Sequence, residues 1–266
     1  MHAKIDLLGP VQVRVADRIC IPSGVRLQCA LALLAIRPRE VIQRDELIEE
    51  LGLNETTKDT INALHAHVRR LRQWLDNEGA TSNILQTAGR SGYFLDIHRR
   101  DVDAHLFIDA VNEAVTLQNK VPSIAVAMLE NALAQWRGAP LTAMSESVRA
   151  QGFLRELNSH KELAQEVLLD CYLALQRYQK AAVVAHQFTL EMPYNEKIWE
   201  SHIVALRMLG RHAEAAHIFR QVQKLLYDEL RVAPSKSLRS ALTTKPGSCR
   251  GPYRCTPKSI CWDPFR

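Results

Sequence analysis

Lys58, Asn62, His65, Arg69 and Arg72 recur at intervals of four, three, four and three residues. That spacing collects side chains on one face of an α-helix. Their chemistry suits an anionic polymer. An arginine fork holds phosphate oxygens or guanine O6 and N7 bidentately, and polar side chains one turn apart, here Asn62 and His65, can reach base edges. Arg70 lies in the same segment, HAHVRRLRQWL, as does His67, which reads either as a phosphate donor or as a surface residue. The nearest acids on this stretch, Asp59 and Asp76, stand at its ends, so the cations are not neutralised along the helix. A solvated charged face is the plainer alternative. Arg90, carried with Ser91 in the tip Gly89-Arg90-Ser91-Gly92, adds a second cationic element and favours DNA. His65 and His67 are two positions apart and point in different directions, so they do not share a metal.

Other chemistries find no residues. P-loop, dinucleotide, HExxH and paired CxxC patterns are absent from the sequence. GRSGY resembles a nucleophile elbow but has Tyr93 where the second glycine belongs, and it joins two strands. Glu49 and Glu50 read as solvated acids on an amphipathic helix. No enzyme and no cofactor are therefore expected. Cys20, Cys29 and Cys171 read as small buried hydrophobes. The tail cysteines Cys249, Cys255 and Cys261 lack a nearby histidine, so no metal site is expected. The 266 residues carry a net charge of +5, which permits an anionic partner without requiring one. The longest strongly apolar run, Cys29 to Ile36, is too short to span a bilayer, and the first residues reach Asp6 and Gly9-Pro10 before a signal-peptide core forms. The expected compartment is the cytoplasm, at the nucleoid, with no membrane partner.

The elements that position these residues are legible in the apolar pattern. Ile5, Leu7, Val11, Val13, Val15, Ile19 and Ile21 recur every second residue with turns between, the mark of a small antiparallel sheet. Helical spacing follows: Leu27, Leu31 and Leu34 up to Pro38, then Leu47, Ile48 and Leu51 up to Gly52. A third helix is expected from Thr57 to about Asn77, opened by Thr56 and Asp59 in a capping-box-like start and closed by Gly79. Its apolar stripe is Ile61, Leu64, Val68, Leu71 and Leu75. Ile84–Ala88 and Tyr93–Ile97 form a hairpin around the Arg90 tip. A sheet, three helices with the last long and basic, and a hairpin are the winged helix-turn-helix plan, whose third helix enters a major groove.

From Asp101 to Leu242 the pattern is helical. Arg177-Tyr178 and Arg211-His212 each precede an alanine pair, Ala181-Ala182 and Ala215-Ala216, and the two are 34 residues apart. That is the period of tetratricopeptide hairpins. Pro193 precedes an intervening helix that contains Trp199 and ends at Gly210, and Ala125 to Trp136 is a weaker echo. Trp136, Trp199, Phe219 and Tyr227 read as core residues. The fold expected is mainly α with a small β component: residues 1–98 as a winged-helix DNA-binding domain, 99–242 as an all-α tetratricopeptide-like domain, and 243–266 as a mobile tail.

RLQCALALLAIRPREVIQRDELIEELG, INALHAHVRRLRQWL and the GYFLDI wing resemble the OmpR/PhoB-type winged helix. DVDAHLFIDAVNEA, ALAQWRGAPL and GRHAEAAHIFRQVQKLLYDELRVAPS resemble the bacterial transcriptional activator domain. Together, over about residues 4–242, they resemble the Streptomyces antibiotic regulatory protein (AfsR/SARP) family. The resemblance implies a pathway-specific activator of a secondary-metabolite gene cluster that binds direct repeats in double-stranded DNA and recruits RNA polymerase. It carries recognition contacts onto Asn62, His65, His67, Arg69, Arg70 and Arg72, and wing contacts onto Arg90 and its neighbours. It places a polymerase or sigma-factor contact in the loop from Leu53 through Asn54, Glu55, Thr56 and Thr57 to Lys58. Gln43 stands where a capping hydroxyl is common. The helical half is expected to pair copies as a homodimer on tandem sites. The alternatives are a helical-repeat interaction scaffold and a ligand-gated regulator.

Overall fold

Period-two alternation at the start of the chain produces a three-stranded antiparallel sheet. The structure is a computed structural model describing residues 3–16, 18–53, 59–80, 83–144 and 147–243. In it β1 (Ala3–Asp6), β2 (Gln12–Val15) and β3 (Arg18–Cys20) pair in that order. Ile5, Val13 and Val15 are buried, but Ile19 and Ile21 are 62% and 58% exposed and Cys20 is buried instead. Register explains the change of phase. Cys20 lies opposite buried Val13 and Ile19 opposite Arg14, and residues directly opposite share a face. The left-handed Ala16, φ 54°, begins the turn that shifts the alternation by one.

The trihelical core follows. Helix α1 (Val25–Ile36) buries nearly every residue from Ala30 onward, and α2 (Arg44–Glu50) buries Leu47 and Ile48. Gln43 supplies no side-chain cap to α2, whose first turn carries Asp45 and Glu46, charges that favour a helix N-terminus. Helix α3 (Asp59–Asn77) lies against both α1 and α2. Leu64, Val68, Leu71 and Leu75 are buried, whereas Ile61 is 44% exposed and Thr60 takes its place on the inner side. The helix ends where Gly79 adopts φ 75°, a left-handed stop that suits glycine. The Thr56–Asp59 start lies outside the described residues.

A second sheet has the order β4-β6-β5, with β4 (Ile42–Gln43), β5 (Leu85–Ala88) and β6 (Gly92–Leu95). The two-residue β4 is too short to show alternation and was not anticipated. It lies so close to β6 that a Cβ on Gly92 would stand 1.9 Å from the Ile42 carbonyl oxygen. Three helices and a hairpin wing make this a winged helix.

Packing divides the chain into two compact units, 1–113 with 128–164 and 114–127 with 165 onward. In the first, the winged helix is tied to the start of the helical region. Asp103, at the head of α4 (Asp103–Leu117), accepts hydrogen bonds from the Leu7 and Leu8 amides at 2.5 and 3.2 Å. The Arg137 amide donates to Leu8 O at 2.8 Å and its side chain to Pro10 O at 3.0 Å. This loop follows α5 (Pro122–Leu133), and half-buried Trp136 packs edge-on against Phe107, centroids 5.3 Å apart. Arg149, in the first turn of α6 (Val148–Ala174), donates its amide to Glu50 at 3.0 Å and its side chain to Glu46. The change of composition near residue 98 therefore does not coincide with a break in packing.

The second unit is a helical repeat. Helices α7 (Tyr178–Glu191), α9 (His212–Leu230) and α10 (Lys236–Ala241) each pack on α8 (Glu196–Met208). The 34-residue period reappears in the backbone. Arg177 and Arg211 cap α7 and α9 at φ −82°, ψ 53° and φ −83°, ψ 55°. Left-handed Gln176 and Gly210 precede them at φ 58° and 76°. The two cap amides donate to Tyr172 O and Leu206 O at 2.8 and 2.9 Å. Ala181, Ala182 and Ala215 are buried at the helix contacts and Ala216 is half-buried. Trp199 and Phe219 are half-buried. Tyr227 is not a core residue: it is 61% exposed, with the Arg231 guanidinium 5.4 Å from its ring centroid. Cys20 and Cys171 are buried and Cys29 is half-buried. Burial pushes the Cys171 thiol up to about 11. The tail, with its cysteines, lies outside the described residues.

His202 of α8 is buried, its ring 5.8 Å from that of His186. Burial and then the neighbouring His186 push its pKa down to about 4; Arg211 acts the same way and Glu214 opposes them. Above the unfolded value of 6.5 the ring is neutral in both states and contributes nothing. Below it the unfolded chain takes a proton that the folded ring refuses, so stability falls between about pH 6.5 and 4, by up to roughly 3 kcal/mol. Urea unfolding at pH 7.5 and 5 should show this loss in the native chain and a smaller one in His202→Asn. Equal losses in both would remove His202 as its source.

Candidate nucleic-acid interface

Helix α3 presents two unlike sides because its apolar residues return every three or four positions. Leu64, Val68, Leu71 and Leu75 fix it to the core, and the opposite side is free to meet a partner. Asn62, His65 and Arg69 are exposed together on that side. Arg70 is exposed as well, about 100° further round the helix from Arg69. Lys58 lies outside the described residues.

Two of the expected contacts are placed differently. His67 is buried, three residues after Leu64 and four before Leu71, on the core side of the helix. Its Nδ1 has no hydrogen-bond partner among the described residues. Burial first, then the charges of Arg70 and Arg26, lower its pKa, so the ring is neutral at pH 7 and supplies no cation to the exposed side. Arg72 is half-buried and turned toward the wing. Its Nε donates to Leu85 O at 3.0 Å and its Nη2 to Thr87 Oγ1 at 2.6 Å, both on β5.

The wing is the β5–β6 hairpin. Gly89 adopts φ 53° at its turn, and Arg90 and Ser91 are exposed at the tip. Arg44, at the head of α2, holds the tip from below. Its amide donates to Ser91 O at 3.1 Å and its Nη2 to Gly89 O at 3.2 Å. Tyr93 is buried beneath the hairpin, with the guanidinium carbons of Arg44 and Arg72 each 5.9 Å from its ring centroid. No motif or spacing in the sequence assigns Arg44 or Tyr93 to the site. Alternation with Leu95 marks Tyr93 as inward-facing, but no spacing rule connects Arg44 with a carbonyl 45 residues away. Of the expected loop contact, Leu53 is buried and Asn54, Glu55, Thr56 and Thr57 lie outside the described residues.

The arrangement is an exposed polar and cationic helix face beside a cationic hairpin tip. No cluster of three or more histidine, cysteine or acidic side chains able to hold a metal occurs among the described residues. No described helix is long and apolar enough to cross a membrane.

Comparison with known proteins identifies the family. Residues 102–243 match the family model "Bacterial transcriptional activator domain", and residues 26–95 match "Transcriptional regulatory protein, C terminal". The chain is 29% identical over 242 residues to the transcriptional regulator RedD of Streptomyces coelicolor, covering 89% of this chain and 68% of RedD. It is 24% identical to the regulatory protein DnrI of Streptomyces peucetius, covering 89% of each. With the transcriptional regulatory protein EmbR of Mycobacterium tuberculosis it is 28% identical and spans only 61% of that protein. The solved structure of EmbR in complex with a low-affinity phosphopeptide superposes with a TM-score of 0.81 at 26% identity, over 91% of this chain and 64% of that one.

Proposed function

This chain belongs to the bacterial transcriptional activator domain family and is a transcriptional regulator of the Streptomyces antibiotic regulatory protein type, and from that premise we propose that it activates one secondary-metabolite gene cluster by binding direct repeats upstream of a promoter. The observation that carries the reading is the joint exposure of Asn62, His65, Arg69 and Arg70 on α3 and Arg90 on the wing. Arg69 and Arg70 supply phosphate affinity and register, and Asn62 and His65 read base edges in the major groove. Arg90 and Ser91 meet the neighbouring backbone or minor groove. Residues 1–98 form the DNA-binding part and 99–242 the activator part, which pairs two copies on tandem sites. Two modest half-sites then bind tightly because the second event is intramolecular. The loop from Leu53 to Lys58 meets RNA polymerase or its sigma factor. The protein works at the nucleoid, in the cytoplasm.

The test is fluorescence anisotropy on promoter DNA of neighbouring genes against scrambled duplex, at low and moderate salt. Preference for the promoter that survives moderate salt is the expected result. Equal affinities that fall together with salt mean phosphate attraction alone, which would sink the reading and leave the helical repeat as an interaction scaffold.

A further inference from the structure

We infer that Arg72 and Arg44 are positioning residues, which clamp the wing around Tyr93 and hold its tip at a fixed distance from α3, so that major-groove reading and wing contact occur as one event. The inference rests on the DNA-binding reading above and assigns these two arginines a different task within it.

An arginine that reads guanine needs two N–H groups directed at O6 and N7. Arg72 has Nε and Nη2 engaged with Leu85 O and Thr87 Oγ1 on the near strand of the wing. That occupies the Nε–Nη2 edge of its fork, so to offer this edge to a base it must surrender two hydrogen bonds and its contact with the Tyr93 ring. Arg44 holds the other end of the hairpin. The carbonyls it binds, those of Gly89 and Ser91, flank Arg90 directly, so the tip cation sits in a turn secured on both sides. Tyr93 links the two arginines. It is buried, it pairs with Ile42 of β4 and Thr87 of β5, and both guanidinium groups stand within cation–π range of its ring. A hairpin with a three-residue turn is only marginally ordered by itself. Tethers from α2 and α3 make its tip part of the same rigid body as the recognition helix.

Two measurements on the full chain decide the matter. The first is amide hydrogen exchange without DNA. In Arg72→Ala the wing amides from Leu85 to Leu95 should exchange at least tenfold faster, while those of Val68 and Leu71 in α3 remain protected. Arg72→Lys, which keeps the charge but not the fork, should loosen the same amides to a lesser degree, and it decides the question if the alanine variant loses α3 protection as well. Unchanged wing exchange in both variants would overturn the clamp. The second is a double-mutant cycle on promoter DNA. Arg90→Ala should weaken binding about tenfold in the native background but less than twofold beside Arg72→Ala, because a loose wing no longer delivers the cation. Full multiplication of the two losses, together with altered preference at one base pair, would make Arg72 a base reader. If the native chain fails to distinguish promoter from scrambled DNA, the regulator reading fails and the exchange experiment still decides the clamp.

Discussion

Replacing Asn62 and Arg69 together by alanine should lower affinity for the promoter duplex about a hundredfold or more, since each lost base or bidentate contact is worth about 1–3 kcal/mol. Both side chains are exposed, and neither takes part in the buried stripe of α3, so the melting temperature should move by no more than a degree or two. The two losses differ in kind. Arg69→Ala alone should weaken promoter and scrambled DNA alike and flatten the salt dependence by about one unit of slope. Asn62→Ala alone should weaken the promoter while leaving scrambled DNA nearly unchanged. Anisotropy titrations of both single variants and the pair, at three salt concentrations, check each statement. A double variant that binds the promoter as the native chain does would show that α3 is not the reading element.

Gly92→Val should destabilise the first unit by about 3 kcal/mol, near the top of the range for forced overpacking. The cause is specific. Any Cβ at Gly92 meets the Ile42 carbonyl oxygen at 1.9 Å and its carbon at 2.8 Å, and a backbone carbonyl held in a ladder cannot swing aside as a side-chain tip can. The strands must separate, which loses the pairing of Gln43 with Gly92 and of Ile42 with Tyr93. Tyr93 then loses its seat, and the wing goes with it. Thermal unfolding should show a drop of roughly 10 °C, taking 2–4 °C per kcal/mol for a unit of this size. DNA affinity at a temperature where the variant is still folded should fall as well. A native-like melting curve would mean that β4 does not pair with β6 as described.

Periodicity makes most of the fold legible in the sequence. The stripe of Leu64, Val68, Leu71 and Leu75 placed α3, and the 34-residue offset placed the α7 and α9 repeats, because both signals extend over several turns. Short or long-range features were not legible. The pair Ile42-Gln43 is too brief to alternate, and the phase change between β2 and β3 follows from a tight turn that sets Val15 opposite Arg18. Residue type and spacing pick out Asn62, His65, Arg69, Arg70 and Arg90, and the structure exposes all five. His67 was misplaced because its polarity outweighed its position, although three residues after Leu64 is a core position of the helix. Arg72 is turned toward the wing for a reason of another kind. Helical spacing puts it near the exposed face, but only the folded chain shows that Leu85 O and Thr87 Oγ1 stand within its reach. Tyr227 has the spacing of a core aromatic, yet its ring is exposed and meets the Arg231 guanidinium.

The ties from Asp103 and Arg137 to the first sheet also set an order of events during synthesis. The loop after β1 finds its hydrogen-bond acceptor 96 residues later, in Asp103, and Pro10 O meets its donor 127 residues later, in Arg137. At about 5–20 residues per second on the ribosome, β1 and β2 wait on the order of ten seconds for the groups that satisfy their loop. Helices α1 to α3 and the wing emerge within that interval with most of their partners made, while Glu46 and Glu50 of α2 and Ile36 O of α1 await Arg149 and His105. The winged helix is therefore free to form early, and the sheet that precedes it in the chain is completed after it.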